Sequence, residues 1–148
     1  MGEAKRRKQQ GLQLVKLIAA RVAAGEFGIP GTPAHALVVA DKSAEGRALL
    51  ATLAEIPAFM GLDALLRGDH VRMWESSELF PYLVLASGSG RPDSRTWLAT
   101  SEERLLTHVV PAALRPMHAR GAAPGLLLGL SAEREAALGP RLRALLNA

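Results

Sequence analysis

The sequence predicts an α/β fold: a single three-layer domain with a roughly four-stranded, mainly parallel or mixed sheet, helices on both faces, and a basic N-terminal helix. Three observations carry this expectation. Residues 36–40 (Ala-Leu-Val-Val-Ala), 82–86 (Tyr-Leu-Val-Leu-Ala) and 125–130 (Gly-Leu-Leu-Leu-Gly-Leu) are apolar without interruption, whereas a strand with one wet face would alternate. The first and third runs lead into Ser-Ala-Glu, at 43–45 and 131–133, where a serine can cap a helix and a glutamate can meet its dipole. After Ser43, Leu49, Leu50 and Leu53 recur at helical spacing and pack back on the first strand. The alternative is a ferredoxin-like α+β layer, strand-helix-strand-strand-helix-strand, with added terminal helices.

Length and composition bound the rest. A chain of 148 residues is most simply one domain. Hydrophobic residues make up 49% and aromatics only 4%, so the core must be built from Leu, Val and Ala. There is no cysteine, which excludes disulfides, thiolate metal sites and a cysteine nucleophile and fits a reducing compartment. The net charge of +4 is concentrated in Lys5, Arg6, Arg7 and Lys8, so basicity describes an arm more than a fold. No apolar run approaches the ~20 residues of a bilayer span. Lys16 and Arg21 interrupt the apolar stretch that a secretion signal would need, and a cytoplasmic location is expected.

Taken in order, residues 4–24 read as a helix with Leu14, Val15, Ile18 and Val22 on one face and Gly25 as its stop. The organisation expected is a basic amphipathic helix at 1–25, a Gly/Pro linker at 26–34 and the α/β domain at 35–148. Pro57 ends the helix that follows the first strand, and a short helix spans 59–66. Residues 71–74 read as a strand after a Gly68-Asp69 turn, and 87–93 as a long polar loop with Trp97 just beyond it. Thr100 with Glu103 matches a capping box, Pro111 kinks or shortens the helix that follows, and Gly121 ends it. In the last helix Leu138, Leu142, Leu145 and Leu146 face one way, and Gly139-Pro140 bends or divides it. The opening Met-Gly-Glu-Ala-Lys-Arg-Arg-Lys resembles the start of many short bacterial proteins of unassigned role, a likeness confined to those residues that carries no activity over.

If the three apolar strands run parallel, their carboxyl ends meet, and open α/β sheets bind ligands beyond that edge. It would hold Asp41, Lys42 and Ser43, then Ser87, Gly88, Ser89, Gly90 and Arg91, then Ser131: two helix N-termini, a flexible glycine loop and a cation, an arrangement suited to phosphate. Ordinary turn chemistry accounts for the same residues. Neither the Walker pattern nor the dinucleotide glycine pattern occurs, and no Gly-x-Ser-x-Gly elbow is present. His35, His70, His108 and His118 lack metal-ligand spacing, so neither a metal nor a cofactor is expected. The leading functional expectation is a non-catalytic binding or accessory module with a protein partner or a second copy of itself. A small-ligand or phosphate-binding protein or enzyme using the strand-end loops is one alternative. RNA or ribosome association through Lys5, Arg6, Arg7 and Lys8 is another, of the backbone-contact kind, since no aromatic is interleaved for stacking.

Overall fold

The computed structural model describes residues 2–88 and 94–147, without the side chains of residues 2–11. Four strands, β1 (Ala36–Ala40), β2 (Tyr82–Ser87), β3 (Arg95–Ala99) and β4 (Gly125–Gly129), form one mixed sheet in the order β3-β2-β1-β4. β1 pairs parallel with β4 and antiparallel with β2, and β2 pairs antiparallel with β3.

The uninterrupted apolar runs follow from burial on both faces. Ala36, Val38, Ala40, Leu83, Leu85 and Leu127 point into one core, while Leu37, Val39 and Val84 point into the other. The first core is covered by α1 (Gly2–Ala23), α2 (Ala44–Leu53), a 3₁₀ turn (Pro57–Leu62), α3 (Asp63–Leu66) and α4 (Asp69–Ser76). The second is covered by a π-turn (Leu105–Val109), which α5 (Glu102–Arg104) leads into, and by α6 (Val110–Ala119) and α7 (Ala132–Leu146). The three-layer α/β arrangement therefore holds. The ferredoxin-like alternative does not: a helical crossover there returns a parallel strand, whereas β2 runs against β1, and the helices here divide between the two faces.

Within residues 26–34, Phe27 is buried and meets Phe59 edge-on, ring centroids 5.6 Å apart. A Cβ on Gly125 would sit 2.4 Å from the Phe27 ring, so only glycine lets β4 pass beneath it. Arg21 lies over the same ring at 5.1 Å, donates to the Leu126 carbonyl at 2.9 Å and pairs with Glu26, tying the end of α1 to the sheet edge.

Several local expectations are corrected. Residues 71–74 are helical: Val71 and Trp74, three apart, are both buried, and this is helical spacing rather than alternation. Trp97 lies inside β3, an edge strand whose half-wet face hides the apolar signal. Ser101, not Thr100, caps α5, its Oγ accepting from the Arg104 N–H at 3.1 Å. Ahead of Pro111, which cannot donate a backbone hydrogen bond, the helix widens into the Leu105–Val109 π-turn and continues as α6. Pro140 does not divide α7, which runs unbroken from Ala132 to Leu146. Pro140 and Ala136 are both exposed, so the carbonyl deprived of its partner can turn to water.

Candidate functional site

The parallel pair β1 and β4 ends where Asp41 and Ser131 leave the sheet, and there α2 and α7 begin on opposite faces. Asp41 is completely buried. Its Oδ1 accepts the Ser43 N–H at 2.9 Å, and its Oδ2 accepts the Ser131 N–H at 3.0 Å and an Arg134 guanidinium N–H at 3.3 Å. Its own N–H donates to the Gly129 carbonyl at 3.0 Å. One carboxylate thus holds both helix starts to the strand ends. Ser43 and Ser131 are satisfied in turn, their hydroxyl oxygens accepting from Gly46 and Arg134 N–H groups. Burial opposes ionisation of Asp41, but the bonds from Ser131, Ser43 and Arg134 outweigh it and bring its pKa below the ordinary carboxylate value.

Close packing completes this end. A Cβ on Gly46 would stand 2.0 Å from the Asp41 carbonyl oxygen and 2.7 Å from that of Gly129, and a Cβ on Gly129 would stand 2.9 Å from the Gly46 Cα. Arg134 lies over the Tyr82 ring at 5.2 Å. Burial, with the charges of Glu102 and Asp41 behind it, raises the Tyr82 pKa against the opposing pull of Arg134. Lys42 extends to the Ser77 carbonyl.

The predicted phosphate cradle is not assembled as one site. Asp41, Lys42, Ser43 and Ser131 do meet. Because β2 is antiparallel to β1, however, Ser87 pairs with Ala36 at the opposite end of the sheet, and Gly88 follows it there. Ser87 is buried and donates to the Ala34 carbonyl at 2.9 Å. Ser89, Gly90 and Arg91 lie outside the described residues, as do the side chains of Lys5, Arg6, Arg7 and Lys8. At the Asp41 end the anion seated between the two helix N-termini is the protein's own, and a dissolved anion would also meet Glu45, Glu133 and Glu135 in their first turns. With no solvent exposure, Asp41 cannot attack or deprotonate a molecule in solution. Gly46, Gly129, Arg134 and Tyr82 were not singled out from the sequence. A glycine inside a helix pattern is a packing signal and pointed to Gly46; Arg134 and Tyr82 carried no local mark.

At the far end an open groove of about 640 Å³ runs between α1 and the Pro57–Leu62 turn. Ala19 and Val22 form one wall, Ile56, Ala58 and Met60 the other, and Gly88 and Ser94 close one end. No titratable side chain lines it among the described residues. Its size falls within the range of binding clefts, roughly 300–1,000 Å³. Met60, one of its lining residues, is 72% exposed. Among the described residues no cluster of three or more His, Asp or Glu could hold a metal ion.

Compared with known proteins, the chain matches no family model, no curated protein and no solved structure.

Proposed function

We propose that this protein is a non-catalytic binding module acting through protein–protein contacts, with the groove between α1 and the Pro57–Leu62 turn as its contact face. The observation that supports the reading is an apolar concavity with the exposed Met60 side chain in its lining. A concavity of this size with a mainly apolar lining suits a surface that another molecule covers. Among the described residues its wall offers contact area and no titratable side chain, while the carboxylate at the β1 end is saturated by its own helices.

Selection of peptides from a random display library on the full-length chain tests this. Binders should weaken at least tenfold on Ala19→Gln and on Met60→Gln, both exposed positions where folding is unaffected. Binders indifferent to both substitutions would place the contact face elsewhere.

A further inference from the structure

We infer that the protein pairs with a second copy of itself through β3, the two strands running antiparallel about Trp97 so that the two sheets join into one. The order β3-β2-β1-β4 leaves two edges, and they are not alike. Along β4 the Gly125 N–H donates to the His35 carbonyl and the Gly129 carbonyl accepts the Asp41 N–H, so both residues face β1. Leu126, next to Gly125, therefore turns its carbonyl outward. Arg21 holds that carbonyl at 2.9 Å while paired with Glu26. A charged pair planted on an edge discourages strand addition. Among the described residues no side chain caps the β3 backbone in this way. Its pairing with β2 runs without a bulge from Arg95 to Ala99, and the strand contains no proline. Both cores also stop short at this edge. Trp97 packs against one and Leu98 against the other, and each is only partly buried.

The strand is its own complement. A twofold axis at Trp97 sets Trp97 beside its copy, Thr96 beside Leu98 and Arg95 beside Ala99, each pair on one face of the joined sheet. The two half-buried indoles then cover one another, and no charge meets its like. Arg95, the one charge in β3, is exposed at the start of the strand, and Glu102 and Glu103 are exposed just past its end, at the opening of α5. Antiparallel pairing brings the Arg95 end of each strand to the acidic end of the other, and the symmetry makes the contact twice. Arg141 already holds Glu102, which assigns Glu103 to the Arg95 of the second copy. An unrelated extended segment would satisfy the backbone of β3 alone.

Sedimentation velocity on the full chain, read together with tryptophan emission, tests this. The mass should rise from monomer to dimer with concentration, and emission should move to the blue over the same range. Trp74 is completely buried already, so that shift reports Trp97. Arg95→Glu and Glu103→Arg, both at exposed positions, should each weaken association about tenfold by setting like charges together, and the double substitution should restore it. A chain that stays monomeric at every concentration, or a dimer that both single reversals leave as tight as before, would overturn the inference. A dimer weakened by each reversal and not restored by the pair would overturn the antiparallel register.

Discussion

A buried carboxylate persists only where donors replace the water it has lost, and Asp41 has the Ser43 and Ser131 amides and the Arg134 guanidinium. Because these bonds lower its folded-state pKa, its contribution to stability is complete above the ordinary carboxylate pKa of about 3.9 and disappears as pH falls through the lowered value. Asp41→Asn keeps the shape and removes the charge. Arg134 is half exposed and can rehydrate, so the substitution should cost about 2–3 kcal/mol near neutral pH, toward the lower end for a broken buried pair. Urea midpoints of the two proteins should converge below about pH 4; a gap independent of pH would refute the ionised clamp. Gly46→Ala forces a Cβ into two backbone oxygens and should destabilise by about 3 kcal/mol or more, or prevent folding. Asp41 was legible as a strand-end acid and Ser43 and Ser131 as caps. That the acid serves both caps was not legible, because the contact spans 90 residues and depends on the two strands being neighbours.

At the scale of elements, what could be read divides by how many faces are buried. β1, β2 and β4 announce themselves because both faces of each strand are packed. β3 is an edge strand with Arg95 exposed, so its five residues read as loop. Val71-Arg72-Met73-Trp74 is too short a run for its pattern to separate strand from helix, and the buried pair Val71 and Trp74 shows the helical spacing only once the fold is known. Proline was read correctly at Pro57, where it opens the 3₁₀ turn, and too strongly at Pro140. On the exposed side of α7, Pro140 removes one hydrogen bond without a buried orphan carbonyl. Pro140→Ala restores that bond and should raise stability by about 1–2 kcal/mol, less than the ~3 kcal/mol of an unrelieved interior proline. An unchanged or lower thermal midpoint would contradict this.

For the whole molecule, the decisive unreadable quantity was strand direction. A strand buried on both faces has the same apolar composition whichever way it runs, so 82–86 gave no sign that it opposes 36–40. That reversal separates Gly88 from Asp41 by the length of the sheet and puts Gly88 at the end of the apolar groove instead. The layers, their cores and the Ser43 and Ser131 caps were legible; the groove proposed as a docking face was not, since it lies between α1, the segment after Gly25 and the 3₁₀ turn, which only the folded chain brings together. The sheet's two ends therefore have different roles in this account, the Asp41 end closed by its own contacts and the α1 end open to a partner. Amide NMR spectra of the full chain, titrated with a peptide selected on it from a random library, compare the two ends in one experiment. Shifts gathered at Ala19, Val22, Ala58 and Met60, with Asp41, Ser43 and Ser131 unmoved, are the predicted result; shifts at the Asp41 end, or none at the groove, would contradict it.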